Sequence, residues 1–568
     1  MAQYKFTNVE EMPPMAFSLK STQELPTGSW RNVRPVYKNK TSPCEAGCPA
    51  GENIHAYFDL VRQKKYEEAW HKILEDNPLP GVTGRVCYHP CEGKCNRTFY
   101  DESAAIHSIE RFVADRNFHN KNFPIIADAP KSEKIAVVGS GPAGLSCAYH
   151  LARKGYRAVI YESEQQAGGM LRYGIPHYRL PKNVLDKEIG DIVGLGVDIR
   201  TDSRIGNNVP WSELEKYDAV FVAVGATRSK KLAIEGEDQK GIYSGVEFLY
   251  QLSIGETPKI GRNVLVIGGG NTAIDAARSA LRLGKKASIL YRRTRAEMPA
   301  VPEEIEEAEK EGVKFEFLVA PVRIIGDHGK VSKLEMMRMV LGEQDSSGRR
   351  KPVPVKGSNF TIQANTIISA IGEEPDLSFL PYSFLKKDPR IFIDDDHTTG
   401  VPGIFAGGDA ATNPNGTVVN AIMAGKEAAK SIDEFLGWRT KANGLGHDVV
   451  RFDEVNTFYF PHEKRASVSR ITLDKSRSSF HEVNKTLSER AAIEETERCF
   501  SCGTCMHCDV CLVFCPDVAI HKDEAGEYAV DYEHCKGCGI CVSECPRGAM
   551  ELIPEGSRFA GEEDGKWM

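Results

Sequence analysis

No apolar run in this chain approaches the ~18 residues that a helix needs to cross a bilayer, so no membrane-spanning segment is expected. The opening stretch MAQYKFTNVEEMPPM has neither the charged start nor the apolar middle of a secretion signal, and a cytoplasmic location is expected. Charge of one sign is not in excess. The 72 Lys and Arg against 79 Asp and Glu leave a net −7, which gives no footing for nucleic acid or a membrane surface as partner. Cysteine is absent from one long stretch, since none lies between Cys147 and Cys499. Of the 16 cysteines, five precede Arg97 and ten follow Arg498. In a reducing compartment such crowding points to metal or redox sites and away from structural disulfides. With 568 residues the chain is too long for one hydrophobic core, and three or four domains are expected.

What is present centres on Lys134 to Glu162, KIAVVGSGPAGLSCAYHLARKGYRAVIYE. The apolar run Ile135–Val138 reads as a buried parallel strand. Gly139-Ser140-Gly141-Pro142-Ala143-Gly144 then leads into a helix with small residues on one side, and a second apolar run stops at Glu162. Such glycines permit a tight turn and close approach to a pyrophosphate. The helix N-terminus offers free N–H groups, and the acid holds a ribose hydroxyl. A lone GxGxxG is weak evidence; strand, helix, second strand and acid together make a dinucleotide site the expected reading. Gly168-Gly169-Met170-Leu171 follows, where glycine lets backbone lie against an extended cofactor. Further on, Ile404-Phe405-Ala406-Gly407-Gly408-Asp409 precedes a helix that begins near Val418 and Val419. That arrangement suits a flavin, with Asp409 on its ribityl chain and a positive helix end at its carbonyl.

A second fingerprint starts at Asn263, with Gly268-Gly269-Gly270-Asn271-Thr272-Ala273. Ala273 replaces the third glycine, a variant the pattern allows. Tyr291 stands as far beyond Gly268 as Glu162 stands beyond Gly139, and Arg292 and Arg293 follow it. An acid there repels a 2′-phosphate whereas arginine binds it, which favours NADP(H) and leaves NAD as the alternative. A solvated turn of Arg292, Arg293 and Arg295 is the bland reading. The two fingerprints, the first completed by a returning segment, imply an FAD domain interrupted by a pyridine-nucleotide domain.

The first thirty-odd residues read as irregular. Cys44 and Cys48 then precede a helical stretch, Tyr57 to Leu74, and Cys87, Cys91 and Cys95 follow it, so two cysteine groups can converge on a metal in a small helical domain. Zinc is the alternative there. Residues 445–495 read as a long polar connection. After it, Cys505, Cys508, Cys511 and Cys515-Pro516, then Cys535, Cys538, Cys541 and Cys545-Pro546, repeat the C-x2-C-x2-C-x3-C-P run of two-cluster bacterial ferredoxins. In that pattern the fourth cysteine of each run ligates the other cluster. The expected sets are Cys505, Cys508, Cys511 with Cys545, and Cys535, Cys538, Cys541 with Cys515.

Together these motifs resemble the glutamate synthase small subunit and its relatives, which include the large subunit of the NADH-dependent ferredoxin:NADP oxidoreductase and the N-terminal half of dihydropyrimidine dehydrogenase. The resemblance covers roughly Pro43 to Gly437 and rests on GRVC…CEGKC, IERF, GSGPAG, GGMLRYGIPHYRLP, IGGGNTAIDAAR, YRR and AGGDA. It implies an α/β chain with a helical N-terminal 4Fe–4S domain (1–130). Two Rossmann-like domains follow, FAD-binding (131–255 and 366–440) and, inserted in it, NAD(P)H-binding (256–365). A linker (441–498) returns to the N-terminal domain, ahead of an α+β ferredoxin-like domain (499–568). One departure is informative. Family members carry RCxxCG ahead of the cysteine matching Cys44, where this chain reads Tyr37-Lys38-Asn39-Lys40-Thr41-Ser42-Pro43. The motif stands instead at Arg498-Cys499-Phe500-Ser501-Cys502-Gly503. By resemblance, one cluster takes Cys44, Cys95, Cys499 and Cys502, the chain folding back to complete it. The other takes Cys48, Cys87, Cys91 and the carboxylate of Glu110, whose ordinary alternative is a helix-surface salt bridge. Fifteen cysteines plus Glu110 make sixteen ligands for up to four 4Fe–4S clusters, and only Cys147 is left. The competing reading leaves Cys499 and Cys502 free and the Cys44/Cys95 cluster absent.

NADPH gives electrons as a hydride pair and an iron–sulfur cluster takes one, so FAD is expected between them, with no side-chain acid–base pair required. Pyridine nucleotide–disulfide reductases share the two-domain plan but need a dithiol facing the flavin, and the gap from Cys147 to Cys499 excludes that class on composition. The expected function is an electron-input subunit, passing electrons from NADPH through FAD and the clusters to a partner redox enzyme or ferredoxin. A stand-alone NADPH:ferredoxin oxidoreductase is one alternative. A non-catalytic docking subunit of a larger complex, such as a sulfite reductase or 2-oxoacid oxidoreductase, is the other.

Overall fold

The apolar run Lys134–Val138 becomes the central strand of a five-stranded parallel sheet in a computed structural model, which describes residues 26–120, 128–345, 348–381, 384, 389–412, 416–438 and 448–557. Ala219–Val222 and Arg157–Tyr161 flank that strand, and Ile404–Ala406 and Asp198–Arg200 form the edges. Uninterrupted apolar strands are what a parallel sheet covered on both faces requires. Helices Pro142–Arg153 and Val418–Phe435 cover one face together. A Cβ on Gly425 would collide with the Ala143 carbonyl, and Ser146 Oγ donates to the Ile422 carbonyl at 2.7 Å. Cys147, the spare cysteine, is wholly buried there.

The second parallel sheet runs Lys314–Phe317, Lys286–Tyr291, Asn263–Ile267, Thr366–Ser369, Ile242–Ser244. This corrects the boundaries read from sequence, which gave 242–244 and 366–369 to the first nucleotide unit. Instead the chain crosses between sheets at Arg228–Ser229 and Glu373–Glu374, and these two crossings pair antiparallel. A short apolar strand such as TIIS is buried in either sheet, so its pattern cannot choose between them. An antiparallel sheet of Val319–Asp327, Lys330–Gln344, Arg350–Pro354 and Phe360–Gln363 is attached beyond the second parallel sheet.

The head folds as helices Ile54–Arg62, Tyr66–Leu74, Pro80–Val86 and Ile106–Arg116 around Tyr57, Phe58, Trp70, Ile73 and Phe112. Residues 448–498 do not run as a loose connection. Glu482 takes Arg85 at 2.7 Å and Arg111 at 2.8 Å, and helix Glu489–Glu497 lies on the head, with Leu487 and Ala492 in its core. The same strap reaches the second nucleotide unit, where Arg470 pairs with Glu307 and Arg477 donates to the Lys310 carbonyl at 2.8 Å. The head in turn enters the tail: Val33–Tyr37 pairs antiparallel with Met550–Pro554, so this stretch is an ordered strand and not irregular. Among the described residues no helix is long and apolar enough to cross a membrane.

Candidate functional site

The loops that leave the two parallel sheets face each other across a cavity of about 780 Å³. On the first side Gly139 has φ +102°, where a Cβ would stand 2.6 Å from the Ala223 carbonyl, and a Cβ on Gly144 would collide with the Gly139 carbonyl. Glycine at both positions is what lets the strand turn directly into the helix. Glu162, buried at the end of the neighbouring strand, accepts from Ser140 N–H at 3.0 Å and from Ser140 Oγ, which ties strand to loop. Gly169 has φ +51° and lies so close to Gly141 Cα that a Cβ would stand at 2.9 Å. Gly139, Ser140, Gly141, Ala143 and Glu162 line the cavity, as do Gly169, Met170, Leu171 and Asp409. Val419 is buried in the helix behind Asp409, and Gly144 lies beneath the turn.

On the second side Gly270, Asn271 and Thr272 line the cavity, with Gly268 in the turn below and Ala273 fully buried. Tyr291 is packed under Gly269 and donates to the Glu297 carbonyl at 2.7 Å. No acid stands where the first unit has Glu162. The two arginines part company. Arg293 is buried, pairs with Asp345 and donates to the Arg350 carbonyl at 2.7 Å. Arg292 is exposed, and its side chain makes no hydrogen bond or ion pair with another described residue.

The cysteines and Glu110 fall into four groups. Burial and then the neighbouring Cys95, Cys499 and Cys502 push the Cys44 thiol far up. Cys502 is pushed to about 12 by burial and by Cys499 and Cys95. Cys48 and Cys87 adjoin Glu110, Cys91 adjoins Cys48 and Cys87, and all three thiols are likewise raised, first by burial. Glu110 is buried with no basic partner among the described residues, which argues against a surface salt bridge. One of its oxygens accepts from Asn77 Nδ2 at 2.9 Å and from Thr83 Oγ1. In the tail, Cys505, held near 11 by burial first, adjoins Cys511, Cys545 and Cys508, while Cys541 adjoins Cys535, Cys515 and Cys538. Sets of four acidic groups crowded together, most of them buried thiols, fit a cationic metal cluster, which removes the cost of their ionisation.

The groups also stand in a row. Val86 and Tyr88, either side of Cys87, line the cavity, and Tyr88 Oη accepts from Asn271 Nδ2 at 2.7 Å. Cys91 adjoins Cys44, Arg547 lies near Cys499, Cys502 and Cys508, and Cys541 adjoins Cys511. Each of the two tail groups has one exposed cysteine, Cys508 in the nearer and Cys538 in the last. Tyr88 was invisible to motif reading, because its role depends on a loop 183 residues away in sequence.

Residues 133–425 match the model of the pyridine nucleotide-disulphide oxidoreductase family. The chain belongs to that family. Residues 33–122 match the 4Fe–4S domain II of dihydropyrimidine dehydrogenase, and residues 528–551 match a 4Fe–4S binding domain. The NADPH-Fe(3+) oxidoreductase subunit beta of Geobacter sulfurreducens is 40% identical over 521 residues, covering 83% of this chain and 76% of that one. The NADP(+)-dependent formate dehydrogenase subunit beta of Moorella thermoacetica is 39% identical, covering 81% and 70%. The glutamate synthase [NADPH] small chain of Escherichia coli is 35% identical, covering 69% and 88%. This family member is an NADPH oxidoreductase that uses FAD and 4Fe–4S clusters. Excluding the disulphide class on composition was therefore too broad. The chain keeps the class's two-nucleotide plan without a dithiol in its middle, where the buried Cys147 stands alone before Cys499.

Proposed function

We propose that the chain is the electron-input subunit of a larger oxidoreductase, taking electrons from NADPH at the cavity and delivering them at its ferredoxin-like tail to a partner redox protein. FAD supplies the exchange between the hydride pair of NADPH and the single electrons that 4Fe–4S clusters carry. The loop Gly139–Gly144 and Glu162 hold the dinucleotide, with Gly169–Leu171 and Asp409 along its length. Gly270, Asn271 and Thr272 orient the nicotinamide nucleotide, and Arg292, whose side chain has no partner among the described residues, takes the 2′-phosphate. Arg293 instead fixes the strand end through Asp345. Tyr88 closes the cavity against the first cysteine group and keeps water from that junction.

Four ligand sets follow: Cys48, Cys87, Cys91 and Glu110; Cys44, Cys95, Cys499 and Cys502; Cys505, Cys508, Cys511 and Cys545; Cys515, Cys535, Cys538 and Cys541. The observation that carries the reading is this row, interleaved from head and tail and leading from the cavity to exposed cysteines. The subunit role is supported by the names of the three relatives, each a beta or small chain. The test is anaerobic purification with iron analysis and NADPH-driven reduction of benzyl viologen. About sixteen irons per chain, four per cluster, and turnover by the isolated chain are expected. About eight irons, or no reduction by flavin-loaded protein, sinks the reading. Capture of the partner from the native host then names the acceptor.

A further inference from the structure

Arg547 is a cation with no carboxylate partner among the described residues. It follows Cys545-Pro546 and lies between the Cys44/Cys95/Cys499/Cys502 group and the Cys505/Cys508/Cys511/Cys545 group, close to Cys499, Cys508 and Cys502. Its Nη1 donates to the carbonyls of Cys499 at 3.2 Å and Phe500 at 2.5 Å, and its guanidinium stands 4.9 Å from the Phe460 ring. No carboxylate among the described residues pairs with it, and its Nε is buried without a partner. Arg31, the corresponding cation at the last group, is different. It donates to the Cys535 carbonyl at 3.2 Å but is neutralised by Glu555 at 2.6 Å.

A second donor reaches the same group from the head. Tyr37 ends the strand Val33–Tyr37, lines a small cavity with Cys505, Cys508, Cys511 and Cys545, and places its Oη 3.2 Å from Cys511 Sγ. A ligating thiolate carries no proton, so in the loaded protein the hydroxyl donates. Sulfurs of both tail groups take backbone N–H groups, His507 to Cys505 and Leu512 to Cys511 in this one, Ala519 to Cys515 at 3.2 Å and Gly537 to Cys535 in the last, so the Tyr37 hydroxyl is the added donor. A nearby positive charge and an O–H···S bond both favour the more negative, reduced state of a cluster and raise its potential.

We propose that Arg547 and Tyr37 hold the cluster at Cys505, Cys508, Cys511 and Cys545 at a higher potential than its neighbour at Cys515, Cys535, Cys538 and Cys541, making it the place where electrons collect before leaving the chain. The proposal rests on the four-cluster reading above, and both residues are positioning residues that ligate nothing. The experiment is a redox titration of the full-length holoprotein followed by EPR, with iron analysis alongside. In Tyr37→Phe, which keeps ring and strand, one of four signals should show a reduced-to-oxidised ratio about threefold to tenfold lower at fixed potential, tenfold being about 59 mV for a one-electron couple. In Arg547→Gln the same signal should fall further and the signal of the Cys44, Cys95, Cys499 and Cys502 cluster should fall with it, while the Cys515, Cys535, Cys538 and Cys541 signal stays in place; Arg547→Lys should restore most of both losses. Unchanged ratios in Tyr37→Phe and Arg547→Gln, or one uniform displacement of all four signals, overturn the proposal. Iron near the parent value and four signals keep the cluster reading separate from it. If Arg547→Gln loses iron, Tyr37→Phe decides by the same criterion.

Discussion

Replacing Cys499 and Cys502 together by alanine should remove four irons and leave the chain folded. Two thiolates, Cys44 and Cys95, cannot hold a four-iron cube, so iron falls from about sixteen to about twelve per chain. The strap that carries the pair is anchored independently of those sulfurs. Leu487 and Ala492 are buried in the head core, a contribution of about 2–3 kcal/mol from apolar area. Glu495 accepts from Ala105 N–H at 2.8 Å and Ala466 N–H at 2.6 Å and pairs with Arg498 at 2.6 Å. Charge-assisted bonds of this kind contribute about 1.5–3 kcal/mol each. These anchors hold the strap on the head without the two sulfurs, while the binding energy of the lost cluster is given up. Far-UV circular dichroism should match the parent, while NADPH-dependent reduction of the two tail clusters slows at least tenfold because the row is cut at its second member. A variant that keeps about sixteen irons refutes the reasoning. So does a parent chain with about twelve, which would mean that Cys44 and Cys95 hold nothing.

Two further outcomes are expected. Arg292→Ala should raise the KM for NADPH about 10- to 100-fold, the loss of one charge-assisted phosphate contact, and leave NADH kinetics alone; equal effects on both coenzymes would refute the assignment. Lys182 donates to the Leu171 and Ile175 carbonyls at 2.9 and 2.6 Å, and burial lowers its ammonium from the ordinary 10.5 to about 7. Between those values the unfolded chain holds a proton that the folded chain lacks, so stability rises with pH. The apparent Tm of the parent should therefore climb relative to Lys182→Met from pH 7 to 9; parallel profiles would contradict this.

The glycine loops were legible because the constraint is local: a positive φ at Gly139 or a collision at Gly144 depends on residues within the same turn and on one neighbouring strand. The tail cysteine runs were legible for the same reason, each run being a single loop and short helix. What escaped depends on distant partners. Arg292 and Arg293 are indistinguishable in sequence, and only Asp345 and the Arg350 carbonyl separate them. Ile242–Ser244 and Thr366–Ser369 carry apolar patterns that satisfy either sheet. The strap looked like coil because its bonds are single long-range contacts, Glu482 to Arg85 or Arg470 to Glu307, with no periodicity to announce them.

The antiparallel pairing of Val33–Tyr37 with Met550–Pro554 orders the biogenesis of the protein. The first of these strands leaves the ribosome some five hundred residues before its mate, a wait of about half a minute to two minutes at ordinary elongation speeds. During that interval both nucleotide units can mature, whereas the head strand has an open edge and the head shares no core with Leu487 or Ala492. On the proposed ligand sets, the joint between head and tail cannot take up iron until the last part of the chain has been made.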